Sequence, residues 1–313
     1  MADSKLLIVS SSPHIRIPET TDRIMKDVQF ALLPAVVASV LLFGFRALGI
    51  IFVSVVFAIL TELVYQRLTK QEVTITDGSA AVTGLLLAMV LPPTVPLWLP
   101  AVGAIFAIVI VKQLFGGLGD NFLNPALAAR AMLLAAWPAL MTSWVTPQGI
   151  AAATPLVGIV GKTAEAATVA VPNLRSLFLG YRAGSLGETS VLALLLGGTY
   201  LIWQRIIDWR IPASFIATVG LMSWIFGGDP LLHVLSGGLI LGAFFMATDY
   251  VTSPVTPRGR IIFGIGCGII TVMIRLWGGY PEGVCYSILI MNIVTPLIDK
   301  FTAPRIFGEV RAK

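Results

Sequence analysis

The chain has 313 residues, 57% of them hydrophobic and only 12% charged, against about 25% charged in ordinary soluble domains. That balance excludes a water-soluble enzyme and describes a chain that lives in lipid. The net charge of +5 does not argue for nucleic acid, because the cations fall mainly in short segments between apolar runs, where basic residues set membrane orientation.

Taken in order, the chain opens Met1-Ala2-Asp3-Ser4-Lys5, and its first long apolar run begins near Val28, after Arg16, Arg23 and Lys26. No cleavable signal peptide is expected, and the first helix serves as its own insertion signal. Ten apolar stretches follow, near 28–45, 47–65, 78–91, 97–115, 121–141, 188–204, 211–226, 231–248, 259–277 and 283–298. Such stretches predict helices, since backbone groups in hydrocarbon must be paired within the segment. The third is short, and Pro92, Pro93, Pro96 and Pro100 demand a turn between it and the fourth, so a broken or re-entrant third helix is expected.

Fifteen lysines and arginines lie in the N-terminal arm, after spans two, four, six and eight, or in the tail, and five lie on the opposite side. Lys112 belongs to the first set, and Arg182 and Arg275 to the second. Both termini are therefore expected in the cytoplasm. The long loop of residues 142–187 is expected to face outward, and long loops of this kind carry function. The halves echo each other: Gly116-Gly117-Leu118-Gly119-Asp120 matches Gly278-Gly279-Tyr280-Pro281-Glu282, and Gly84-Leu85-Leu86-Leu87 resembles Gly238-Leu239-Ile240-Leu241. An odd repeat of five spans inverts the second copy. The expected fold is an all-α polytopic membrane protein of about ten transmembrane helices in two inverted five-helix repeats. Its parts are an arm (1–27), a first repeat (28–141), the loop (142–187), a second repeat (188–299) and a tail (300–313).

Ionisable residues inside a span need partners or a wet cavity. Arg130, mid-span, either pairs with an intramembrane carboxylate such as Glu62 or reaches an anionic ligand. His233 reads as an interfacial polar residue. Asp77, Asp120, Asp229, Asp249 and Glu282 stand at helix ends, where carboxylates complement the helix dipole. Asp249, with Thr248 beside it, is also a candidate for a cation path. Asn124 before Pro125 has the form of an N-cap followed by a first-turn proline, and the N–H groups near Asn121 and Asn124 could instead face a ligand. Trp144 is an interfacial anchor or a stacking partner. Cys267 and Cys285 lack metal-ligand spacing, and no metal site is expected.

Several motifs in order carry a family resemblance: Asp77-Gly78-Ser79 through Leu87, Gly116 through Ala126, Met141-Thr142-Ser143-Trp144, Ala151-Ala152-Ala153-Thr154-Pro155-Leu156, Ala247-Thr248-Asp249 with Thr252-Ser253-Pro254, and Tyr280 through Gly283 leading to Met291-Asn292 and Thr295-Pro296. The chain resembles the family of D subunits of Rnf ferredoxin:NAD+ oxidoreductase complexes and B subunits of sodium-translocating NADH:quinone reductases. The resemblance implies FMN esterified to Thr154 by a flavin transferase that takes FMN from FAD. Arg130, Asn121, Asn124, Trp144 and Pro155 are the candidate flavin contacts, and the resemblance leaves a non-covalent riboflavin as a further possibility. The motif departs from the family's common serine and glycine at Ala151 and Ala152. Implied partners are the peripheral ferredoxin- and NAD-side subunits, the flavin-bearing G subunit of the Rnf complex, and its A and E membrane subunits, in a bacterial or archaeal cytoplasmic membrane. The electron relay is coupled to Na+ or H+ movement. No NAD-binding glycine motif or iron–sulfur cysteine set appears in the chain, which assigns those steps to partners. Two other readings fit parts of the pattern: a stand-alone transporter or channel for a small solute, and a scaffold subunit without its cofactor.

Overall fold

The structure, a computed structural model, describes residues 20–156, 173–279 and 283–304. Helices dominate throughout. Among the described residues there is no strand, only an isolated antiparallel bridge between Val145 and Ala151. Lys5, Arg16, Lys162, Glu282, Arg305, Arg311 and Lys313, which entered the charge and helix-end readings, lie outside the described residues.

Among the described residues, five helices have the length and hydropathy to cross a bilayer: α1 Thr21–Phe43, α2 Phe45–Leu68, α4 Trp98–Phe106 with its extension to Phe115, α12 Pro257–Trp277 and α13 Val284–Thr302. Four apolar helices are shorter: α3 Ser79–Met89, α5 Pro125–Ala136, α8 Val191–Trp203 and α9 Arg210–Ile225. The short third helix expected from sequence is present. Its 11 residues span about 17 Å at 1.5 Å per residue, well below the roughly 30 Å of a hydrocarbon core. Nearly every residue of α3 is buried in protein, so its ends need not meet lipid.

Two expected spans are not continuous helices. The fifth ends at Trp137, because Pro138 disfavours helical backbone in the residue before it, and resumes as the single turn α6 Pro138–Met141. The eighth divides into α10 Pro230–Leu235 and α11 Leu239–Leu241, which continues as a π-wound turn, Gly242–Met246. The break falls at Gly237, whose φ of +68° suits glycine and strains other residues. The fourth span also winds into a π turn, Ala107–Lys112. A short helix, α7 Leu174–Leu179, lies in the long loop.

Hydrogen bonds fix which ends lie together. The Tyr200 hydroxyl, near the end of α8, donates to Asp27 in the first turns of α1. The Val255 N–H donates to Asp299 near the end of α13, and the Tyr250 hydroxyl donates to the Ile206 carbonyl. The start of α1 and the end of α13 therefore share one end of the bundle, called here the terminal end. At the other, the loop end, Leu186 and Gly187 donate to Leu91 and Met89 after α3, and Thr94 donates to the Ser143 carbonyl.

Small residues let the helices close up. Ala31, Ala35 and Ser39 on α1 are buried, and α1 meets α8 where Gly197 lies against the Ala31 carbonyl, a place with no room for a Cβ. On the opposite face, Phe30, Leu33, Val37 and Leu41 form an exposed stripe at helical spacing, as a lipid-facing surface does.

Candidate functional site

The loop end is built around the Thr154 segment. Beyond α6 the chain doubles back as a narrow hairpin in which the Thr146 N–H donates to the Ile150 carbonyl (2.9 Å) and the Ala152 N–H to the Trp144 carbonyl (3.2 Å). Trp144 is half-buried; Thr154, Pro155 and Leu156 are buried. Thr154 is only 3% exposed, and its hydroxyl has no hydrogen-bond partner among the described residues. Such an oxygen normally costs about 1–3 kcal/mol to bury unsatisfied. Beside the hairpin lies a recess of about 570 Å³ lined by Leu42, Arg46, Thr94, Val145, Pro147 and Gly149 among others.

Leu156 packs where α10 breaks: a Cβ on Gly237 would lie 2.7 Å from its Cδ1 and 3.4 Å from an Arg275 terminal nitrogen. Two arginines hold the exposed backbone of that break. Arg275 donates to the His233 carbonyl (2.6 Å) and the Ser236 carbonyl (3.2 Å). Arg182 donates to the Leu235 carbonyl (2.5 Å) and also to the Glu188 carbonyl. Both are buried, Arg182 within the long loop and Arg275 in the last turn of α12, so neither is a solvent-facing cation. His233 is likewise buried in protein, and its Nδ1 has no hydrogen-bond partner among the described residues.

Arg130 sits six residues into α5 beyond Asn124, and its Nη1 pairs with the Glu188 Oε1 at 3.0 Å. The expected carboxylate partner, Glu62, is engaged elsewhere. Its Oε1 accepts from the Lys112 Nζ at 2.7 Å and from the Gln113 amide at 2.6 Å. The Lys112 ammonium also donates to the Ser79 hydroxyl at 2.6 Å. Lys112 is therefore a buried member of an intramembrane cluster, not a loop cation, because the π turn carries it inward from the helix end.

This cluster borders a cavity of about 90 Å³ at the terminal end. Ser79, Thr83, Lys112, Asn121, Asn124, Phe244, Phe245, Thr248 and Asp249 are among its walls. The two π-wound turns, one from each half of the chain, both contribute to them. Asn124 is an N-cap as expected, accepting from the Leu127 N–H at 3.2 Å, and its amide donates across to the Met246 carbonyl at 3.5 Å. The Thr248 hydroxyl donates to the Phe244 carbonyl. The Asp249 carboxylate accepts from the Val251 N–H and the Thr252 hydroxyl. Burial pushes that carboxyl above its usual range, while those two donors pull the other way.

The proposed ligand contacts thus divide. Trp144, Thr154 and Pro155 share the loop end, whereas Asn121 and Asn124 share the terminal end with Thr248 and Asp249. The 12 residues of α5 separate the two groups by about 18 Å, and Arg130 stands between them. One flavin ring does not span that distance. Sequence reasoning passed over Glu188, Lys112, Arg182 and Arg275 as site residues. The only available signal was that charged side chains beside glycines at span ends need acceptors.

The comparisons with known proteins cover nearly the full chain. The family model described as NQR2, RnfD, RnfE matches residues 8–308. The D subunit of the Na(+)-translocating ferredoxin:NAD(+) oxidoreductase complex of Acetobacterium woodii is 52% identical over 312 residues, covering 98% of this chain and 97% of the relative. The D subunit of the proton-translocating ferredoxin:NAD(+) oxidoreductase complex of Clostridium ljungdahlii is 49% identical over 323 residues, covering 98% and 97%. The D subunit of the ion-translocating oxidoreductase complex of Citrobacter koseri is 39% identical over 345 residues, covering 96% and 99%. The chain belongs to the NQR2, RnfD, RnfE family.

Proposed function

We infer that this chain is the D subunit of an ion-translocating ferredoxin:NAD+ oxidoreductase complex, a membrane oxidoreductase subunit that is not catalytic alone. We propose that it carries FMN on Thr154 at the loop end and lines an ion path at the terminal end. The observation that carries the flavin reading is the Thr154 hydroxyl, buried in a small-residue segment and donating to nothing described. Esterification consumes that donor: the Thr154 Oγ bonds to the FMN phosphorus of FAD, AMP leaves, and the hydroxyl proton is released. A hydroxyl already engaged would lose a hydrogen bond; this one loses none. Because its oxygen is buried, the transferase must act on the segment before it docks or after drawing it out. The recess beside the hairpin, about 570 Å³, is lined by Val145, Thr146, Pro147 and Gly149 of the same loop but not by Thr154 itself, so it bears on the flavin reading only through the loop it shares.

When bound, the flavin supplies one- and two-electron redox chemistry. The chain's residues fix where that occurs: Trp144 braces the hairpin through its carbonyl, Pro155 and Leu156 anchor the segment, and Arg182 and Arg275 hold the broken α10 against which it rests. A non-covalent riboflavin at Asn121 and Asn124 is a poorer fit, since the 90 Å³ cavity falls below the pocket range of about 300 Å³ and upward. Such a ligand would have to part the two halves. The cavity suits a small hydrated cation, and Asp249 and Thr248 are its proposed path residues.

Both described chain ends at one end of the bundle, with most of the loop cations there, support cytoplasmic termini and an outward Thr154. Removing buried Lys112 from one set, and Arg182 and Arg275 from the other, leaves the bias intact. The inverted repeat is supported by pairing of equal rank: α1 packs on α8, and α5 on α13. The names of the relatives favour a subunit over the stand-alone transporter. Peripheral ferredoxin- and NAD-side subunits, a second flavin-bearing subunit and further membrane subunits are the proposed partners.

Ultraviolet fluorescence in a denaturing gel tests the flavin assignment. Co-expressed with the transferase, the wild-type band should fluoresce and Thr154→Ala should be dark. A dark wild-type band, with the transferase active on another target, would overturn the assignment.

A further inference from the structure

A second basic site lies at the terminal end, outside the cavity. The turn from α8 to α9 places Arg205, Asp208 and Arg210 around a recess of about 350 Å³, to which α12 adds Arg260. Asp208 organises it. Its Oδ2 accepts from the Arg210 Nη1 at 3.0 Å and the Arg260 Nη1 at 2.6 Å. Its Oδ1 accepts from the Arg210 N–H at 2.9 Å. The Arg260 Nε donates to the Pro254 carbonyl, which fixes that guanidinium further. Asp208 is the only acidic residue among those lining the recess; it pairs with Arg210 and Arg260, and with Arg205 counted the lining carries an excess of two positive charges. Asp249, close by in the chain, faces the inner cavity instead.

The surroundings say what kind of anion fits. Trp209 and Tyr250, which line the recess, are exposed, and the Arg210 guanidinium lies 5.9 Å from the Trp209 ring centre. Exposed tryptophan and tyrosine beside lipid-facing helices mark the headgroup level, and basic pockets between helices at that level recognise phosphate-bearing headgroups. Orientation bias alone explains a scattered cation such as Arg67, which is exposed at the end of α2 and lines no such recess. It does not explain three converging on a shaped recess with a shared organising acid.

We propose that Arg205, Arg210 and Arg260 form a binding site for the phosphate headgroup of an anionic phospholipid. The aromatic rim packs on the upper acyl and glycerol region, Arg205 and the outer nitrogens of Arg210 and Arg260 hold the phosphate, and Asp208 keeps the two paired guanidinium groups in place. The site rests on the membrane character of the chain and not on the flavin assignment, so either can fail without the other.

The test uses the full chain in its purified complex, titrated with brominated phosphatidylglycerol or brominated phosphatidylcholine, with tryptophan quenching and native mass spectrometry as readouts. Phosphatidylglycerol should bind at least tenfold more tightly than phosphatidylcholine. Arg205→Gln should weaken it about fivefold and Arg205→Gln with Arg260→Gln about 25-fold, on the basis of roughly fivefold per surface arginine. Arg67→Gln should leave it unchanged. The Arg205 side chain makes no described hydrogen bond or ion pair, so its single variant reads binding even if loss of Arg260 disturbs folding. Equal binding of both lipids, or an unchanged Arg205→Gln, overturns the site. Displacement by equimolar inorganic phosphate assigns it to the free ion and overturns the lipid claim. Phosphatidylglycerol uptake by the isolated full chain but not by the complex assigns the recess to a protein partner, with the same consequence.

Discussion

The loop end and the terminal end both bury charged side chains, but they bind them differently. At the loop end Arg182 and Arg275 donate to carbonyls left over where α10 stops. At the terminal end Lys112 is locked to Glu62, and Arg210 and Arg260 to Asp208. Arginine's several donors in a fixed fork suit the first task. They let irregular backbone persist at membrane depth, where it is tolerated only if satisfied by protein or lining a cavity. The loop end is therefore a platform against which the Thr154 segment packs. The terminal end gathers charged and polar side chains around a small cavity, the place proposed above for an ion path.

The largest effect in this contrast is expected from Lys112→Met. It leaves the Glu62 carboxylate buried with only the Gln113 amide, and losing one partner of a buried pair costs about 3–5 kcal/mol. Extraction yield and thermal stability by fluorescence-detected size-exclusion should fall sharply. The double variant Lys112→Met with Glu62→Met should recover most of the loss, since replacing both partners removes the stranded charge. Failure of that rescue would mean that the cluster does more than balance charge.

Arg275→Met at the loop end comes next. It strands the His233 and Ser236 carbonyls, at about 1–3 kcal/mol each, and should loosen the broken helix. Faster amide exchange at residues 233–238, with little change around Lys112, would verify that the two ends are held independently.

Asp249→Asn is expected to have a smaller effect of opposite sign. The carboxyl holds its proton more tightly in the folded chain than unfolded, so ionising it costs folded-state stability as pH rises through that raised range. The asparagine variant should match wild type in acid and become the more stable of the two at neutral and alkaline pH, while ion-dependent turnover of the complex falls. Thermal melts across pH would reveal a wrong sign directly.

Thr154→Val should alter stability least, within about 1 kcal/mol, because the hydroxyl it removes makes no described hydrogen bond and the shape is kept. It should nevertheless abolish flavin fluorescence. A large loss of stability would show that the hydroxyl is a structural group.

The helical, polytopic character was legible from the sequence because hydrocarbon leaves an isolated segment only one way to pair its backbone. The short α3 and the Asn124 cap were legible too, from length and from Asn-Pro chemistry. The breaks at Trp137 and Gly237 were less so: Pro138 and the Ser236-Gly237-Gly238 run mark them, but the hydropathy on either side reads as one continuous span. Ion-pair partners were not legible at all. Lys112 lies 50 residues from Glu62, and Arg130 lies 58 from Glu188. Nothing local in the chain records such a pairing, so Glu62 was matched with the wrong cation.

The sequence by itself determined that this chain is a helical membrane protein of its family, and it pointed to Thr154 as the residue to examine. Hydropathy and motif order are local properties, and a chain carries them unfolded. Only the tertiary structure decided which charges neutralise one another, that Asn121 and Asn124 belong with Asp249 rather than with Thr154, and that three arginines share one recess. Those outcomes depend on which helices pack together, and close packing of small residues between distant segments sets that choice.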